Sequence, residues 1–211
     1  MHEASIVIAR PERPAQLVLL FHGVGSSAAN LAPLGEAIAR ARPDAMVVSI
    51  DAPFPSGLGS GREWFSVLGI TEQNRPERIA KVIPLFLDVI SQWQRTSGVG
   101  PSGTVLVGFS QGAILSLEAT QTEVATNPAE RVIALAGRFA VPARRAPTGL
   151  RYNLIHGAQD AVVSHTFSVA AAEALKALGG DATLDLLPGL GHGIDARALQ
   201  LVIGYLGEQT L

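Results

Sequence analysis

The chain has 211 residues, 47% of them apolar and 16% charged, with a formal net charge of −2. That length suits one domain able to bury a large core, and that composition excludes intrinsic disorder. Uninterrupted apolar runs reach only five residues, far short of the roughly 20 that a membrane helix needs, and a nucleic-acid binder would carry a basic stripe that is missing here. The densest basic pair, Arg144–Arg145, reads as part of a solvated loop. The absence of cysteine excludes disulfides, thiolate metal ligands and a cysteine nucleophile. The opening run Met1-His2-Glu3-Ala4-Ser5 lacks the basic start and apolar stretch of a secretory leader, so a cytoplasmic protein is expected.

In chain order, residues 5–9 alternate weakly and read as an edge strand. Residues 17–21 form a near-continuous apolar strand that runs into His22-Gly23-Val24-Gly25-Ser26-Ser27, and a helical pattern follows over 28–41. A second apolar strand covers 45–50. Residues 51–70 break the rhythm, with Pro53, Pro55, Gly57, Gly59 and Gly61 ahead of Trp64 and Phe65. A loop this long in a compact domain is usually functional, and a flap is expected here. Trp64 and Phe65 either wall a substrate pocket or anchor that loop to the core.

Over about 77–94, Ile79, Val82, Ile83, Phe86 and Ile90 share one helical face, and Pro84 is expected to kink the helix or shift its start. Strands are expected at 104–109, 131–136, 151–156 and 183–187, and helices at 111–123, 166–178 and 195–206. Residues 137–149 read as a surface connection. Alternating strands and helices joined by short turns predict a single α/β domain, residues 1–211, with a mostly parallel sheet covered by helices on both faces.

The run Gly108-Phe109-Ser110-Gln111-Gly112 leaves a buried strand and enters a helix directly. This is the context of a nucleophile elbow, a strained turn that lifts a serine hydroxyl above the sheet. Strand and helix nearly touch at such a turn, so the positions two residues either side must be tiny, and Gly108 and Gly112 supply this. Ser110 as a plain helix cap is the competing reading.

A serine hydroxyl needs a base, and in this type of fold an acid and then a histidine follow the serine in the chain. His2 and His22 precede it. His156 ends a strand and reads as a packed residue, and His165 as a surface or capping one. His192, in the glycine-rich loop Pro188-Gly-Leu-Gly-His192-Gly, leaves the carboxyl end of the last strand, on the edge where Ser110 emerges. Asp160, in the loop after the preceding strand, suits the acid that orients the imidazole. Asp181, Asp185 and Asp195 lie before a strand, within it and at the start of a helix.

The glycine-rich run after the first buried strand lacks the lysine of a phosphate-binding loop. Backbone N–H groups of Val24 and Gln111 instead suit an oxyanion hole.

Together, Phe21-His22-Gly23-Val24-Gly25, Ala52-Pro53, Trp64-Phe65, Gly108-Phe-Ser-Gln-Gly112, His156-Gly157-x-x-Asp160 and Gly191-His192 resemble the phospholipase/carboxylesterase family of α/β-hydrolases. That family includes acyl-protein thioesterases and small bacterial carboxylesterases. The resemblance implies a Ser110–His192–Asp160 triad, Val24 and Gln111 as oxyanion donors, and hydrolysis of small carboxylic esters or thioesters without cofactor or metal. It also implies a homodimer. The chain departs from the family at Gly25-Ser26-Ser27, where an acidic residue is usual, and at Leu135-Ala136-Gly137-Arg138-Phe139, where Leu-Ser-Gly is usual. The alternative is an α/β-hydrolase scaffold that binds a small molecule without catalysis.

Overall fold

The computed structural model describes residues 5–123 and 127–207. Most of the N-terminal run read above for a leader, His2 included, lies outside them. Among the described residues, nine strands and five α-helices follow one another: β1 (Ile6–Ala9), β2 (Gln16–Phe21), α1 (Ala28–Ala41), β3 (Ala45–Ile50), β4 (Phe54–Pro55), β5 (Arg62–Glu63), α2 (Arg75–Ser97), β6 (Thr104–Phe109), α3 (Gln111–Ala119), β7 (Arg131–Leu135), β8 (Arg151–Gly157), α4 (Thr166–Ala177), β9 (Asp181–Leu187) and α5 (Ala196–Gly207).

Seven strands form one sheet in the order β1-β3-β2-β6-β7-β8-β9. Only β1 runs antiparallel, against β3, and the other pairings are parallel. The strands bury both faces, which explains their unbroken apolar sequences. Val18, Leu20, Val105, Val107 and Ile133 point to one side, where α1 and α5 cover them. Leu17, Leu19, Leu106, Val132 and Leu154 point to the other, under α2, α3 and α4. The parallel direction of these strands leaves the carboxyl ends of β2, β6, β8 and β9 on one rim of the sheet, and the loops leaving them carry the candidate residues.

Several boundaries differ from expectation. Helix α3 ends at Ala119 instead of 123, because Thr120 and Thr122 turn their hydroxyls back to the carbonyls of Leu117 and Ala119, at 2.7 and 2.9 Å. Such side chains compete with the helical ladder. Helix α2 starts at Arg75, with Pro76 in the first turn where no N–H is needed, and runs unbroken past Pro84. Pro84 and Ala80, whose carbonyl it leaves without a partner in the ladder, both face solvent.

The stretch 51–70 holds the small antiparallel pair β4–β5. The connection 137–149 is not all surface: Gly137, Arg138, Phe139 and Ala140 are buried, and the chain emerges only from Val141. Arg144 and Arg145 are also tied down, their N–H groups donating to Oε1 of Gln121. No helix among the described residues is long and apolar enough to cross a membrane.

Candidate active site

Strand β6 delivers Ser110 into a backbone conformation (φ 52°, ψ −112°) that few non-glycine residues adopt. Such a conformation costs about 1–3 kcal/mol and persists only where its surroundings enforce it. Here the Ser110 N–H donates to the Leu135 carbonyl at 2.9 Å, and its own carbonyl accepts the Ile114 N–H at 3.0 Å. A Cβ at Gly108 would lie 2.5 Å from the Gly112 carbonyl oxygen, and one at Gly112 would overlap the Phe21 carbonyl. The turn therefore exists only with glycine on both sides. Ser110 makes no side-chain capping bond, which leaves its hydroxyl free for other partners.

The structure brings Ser110, His192 and Asp160 together. Ser110 Oγ lies 2.9 Å from His192 Nε2, and His192 Nδ1 lies 2.7 Å from Asp160 Oδ2. These contacts set the neutral tautomer: Nδ1–H donates to the carboxylate, and Nε2 accepts from the serine. The loop carrying His192 packs closely enough on β8 that a Cβ at Gly157 would overlap the carbonyls of Leu190 and Gly191. Phe109 packs against the imidazole, with ring centroids 5.0 Å apart.

Asp160 is fully satisfied. Its Oδ1 accepts the N–H groups of Val162 and Val163 at 2.8 and 2.9 Å, and its Oδ2 faces His192 and His156. Burial alone would push the carboxyl up, but the hydrogen bonds from His192, Val163 and Val162 outweigh it and hold it below the usual carboxylate range. A carboxylate kept ionised in this way can orient an imidazole and stabilise its protonated form.

Val24 and Gln111 both border the cavity beside Ser110. The Gln111 N–H opens α3, where a helix has no internal partner for it. Its side chain points elsewhere: Oε1 accepts the Trp64 N–H and Nε2 donates to the Phe65 carbonyl, both at 2.7 Å. Phe65 lines the cavity, whereas Trp64 is wholly buried between Phe21 and Phe86. The two aromatics thus divide the alternatives open at the sequence level, one to the pocket and one to the core.

Two histidines set aside in the sequence belong to this constellation. His22 is inaccessible to solvent; its Nδ1–H donates to the Gly23 carbonyl at 2.7 Å and its Nε2 accepts the Ala52 N–H at 3.0 Å. Burial pushes its imidazole below the usual range, opposed only in part by the Gly23 carbonyl and Asp51. The Gly23 carbonyl and the Val24 N–H belong to one planar peptide unit, so holding the first aims the second.

His156 reaches Asp160 Oδ2 at 3.2 Å and the Val163 carbonyl at 2.9 Å through Nε2, so Nε2 carries the proton. Its Nδ1 meets the Ser168 hydroxyl at 2.6 Å. Burial lowers this imidazole too, against the raising effect of the Val163 carbonyl and Asp160. Of the other acids, Asp195 caps α5 through the N–H groups of Arg197 and Ala198. Asp185 meets Tyr205, away from the serine.

A family model described as phospholipase/carboxylesterase matches residues 2–209. The chain belongs to the phospholipase/carboxylesterase family. Esterase YpfH of Escherichia coli (strain K12) is 45% identical over 207 residues, 98% of this chain and 88% of that protein. Acyl-protein thioesterase 1 homolog 1 of Dictyostelium discoideum is 23% identical, spanning 90% of this chain and 89% of its own. Among solved structures, esterase PE8 superposes with a TM-score of 0.86 at 30% identity, covering 96% of this chain and 95% of that one. In this phospholipase/carboxylesterase member the fold is therefore that of the α/β-hydrolase esterases, with the elbow serine at the carboxyl rim of the sheet.

Proposed function

We propose that the chain is a serine carboxylesterase that hydrolyses small carboxylic esters or thioesters through an acyl-enzyme. The observation that carries this reading is the continuous hydrogen-bonded path from Ser110 Oγ through the His192 ring to Asp160. Ser110 Oγ attacks the substrate carbonyl carbon while His192 Nε2 takes the hydroxyl proton. The carbonyl oxygen becomes an oxyanion within reach of the Val24 and Gln111 N–H groups. Collapse of this intermediate breaks the bond to the alcohol or thiol, which leaves with the proton held by His192. Water then attacks the acyl-serine with His192 again as base, and the acid departs as Ser110 regains its proton.

Asp160 stays ionised throughout and holds the ring. No step in this sequence calls on a cofactor. A scaffold that only binds its ligand would not need this spacing, and nothing in the geometry favours it. The names of the relatives, esterase and acyl-protein thioesterase, support the same reaction class.

The same proposal makes residues 51–70 a flap over the site, pinned by Gln111 at its Trp64–Phe65 end and by Arg62 bonding to the Ser26 carbonyl at 2.8 Å. A homodimer in the cytoplasm completes it on the sequence reading alone. The experiment is covalent labelling with a fluorophosphonate, followed by peptide mapping, beside hydrolysis of p-nitrophenyl butyrate. Labelling at Ser110 that is lost with activity in Ser110→Ala is the expected result. Unchanged hydrolysis in Ser110→Ala would remove Ser110 from the reaction.

A further inference from the structure

Two cavities meet on the α4 side of the candidate site. The first, about 270 Å³, holds Ser110 and is walled mainly by Phe65, Val67, Ile114, Val162 and Val163. The second, about 380 Å³, is lined chiefly by apolar groups of residues 139–143 and by Ala170 and Ala171 of α4. Glu72, Arg138 and Phe167 belong to both linings.

These three form one unit. Arg138 Nη1 and Nη2 donate to Glu72 Oε1 and Oε2 at 3.1 and 2.7 Å, a two-pronged pair, and the guanidinium lies 3.5 Å from the centroid of the Phe167 ring. Arg75 Nη2 adds a third bond to Glu72 Oε1 at 3.2 Å. The Arg138 side chain is 9% exposed and Glu72 58%, so the arginine is fixed in the wall and the glutamate closes it from outside.

We propose that the Glu72–Arg138 pair, backed by Phe167, is the stop that sets acyl-chain length in this protein. The inference rests on the esterase reading above and names its substrate class: short-chain acyl esters. The Ser110 cavity is small beside the roughly 300–1,000 Å³ of ordinary ligand pockets, and its far end is a charged pair instead of more apolar wall. An alkyl chain reaching that end would have to displace a carboxylate from two guanidinium groups. Beyond the pair the lining turns apolar again, and joining the two cavities would more than double the space.

The test measures kcat/KM for p-nitrophenyl octanoate relative to p-nitrophenyl butyrate in wild type, Glu72→Ala and Arg138→Ala. Glu72 is exposed, so its replacement leaves the core intact, and a thermal scan of both variants verifies folding. Wild type should favour butyrate. The octanoate-to-butyrate ratio should rise tenfold or more in at least one variant, as expected when several methylenes gain an apolar site. An unchanged ratio in both folded variants, or a wild type that already favours octanoate, overturns the proposal. Absence of all hydrolysis and of labelling at Ser110 in wild type would instead mark failure of the esterase reading beneath it.

Discussion

His156 and His192 meet at a single oxygen, Oδ2 of Asp160, at 3.2 and 2.7 Å. Asp160 is thus positioned from behind by one imidazole while it orients the other. In His156→Phe the ring volume stays, but Asp160 and the Val163 carbonyl lose a buried donor. An unsatisfied buried acceptor costs about 1–3 kcal/mol, so the urea midpoint should fall accordingly. We expect kcat to drop about tenfold with KM little changed, since the loss falls on orientation of the reacting groups. Equal kcat in variant and wild type would mean that His156 serves packing only.

Asp160→Asn tests the acid itself. An amide NH₂ in place of Oδ2 would face both His192 and His156, and in place of Oδ1 it would face the N–H groups of Val162 and Val163, so the imidazole tautomer that His192 needs is no longer enforced. The expected loss in kcat is on the order of 10⁴-fold, with the fold retained. Steady-state kinetics beside a circular dichroism spectrum would measure both.

Replacement of His22 should act on the oxyanion hole without touching the nucleophile. His22→Leu removes the donor that holds the Gly23 carbonyl and should cost on the order of 10²-fold in kcat, the lower end for loss of one such donor. His22→Asn keeps a donor near the position of Nδ1 and should recover much of the rate. Two variants of equal activity would argue against this role.

The same histidines set a pH dependence of stability. Burial holds both His22 and His156 below their usual range when folded, whereas the unfolded chain titrates them near 6.5. Below that pH the unfolded state binds protons that the folded state refuses, so stability falls as the pH drops from about 6.5 toward the lower folded values. Each histidine contributes at most about 1.4 kcal/mol per pH unit. Asp160, depressed when folded, adds its loss only at far lower pH. Urea titrations at pH 7.5 and 5.5 should show a falling midpoint, and a smaller fall in His156→Phe.

The elbow was legible in the sequence because its demands are local: two glycines, a strand before and a helix after. The central strands were legible because burial on both faces leaves no polar positions. What escaped depends on contacts between distant parts of the chain. His22 and His156 looked like ordinary residues near strand ends, and only the fold puts one against the Gly23 carbonyl and the other behind Asp160. Arg138 read as part of a surface connection because its partner Glu72 lies 66 positions away. The strands β4 and β5 are two residues each, too short for any periodicity to register.

Gln111 joins two functions in one residue: its main chain opens α3 beside the serine, and its amide grips Trp64 and Phe65. A loop-grafting experiment that exchanged residues 51–70 for a longer segment would therefore disturb the helix entrance along with the pocket wall. On the α4 side the linkage runs through Ser168, which meets His156 behind Asp160, whereas the side chains of Glu72 and Phe167 pair with Arg138 and not with the triad. Engineering for new acyl groups should start there.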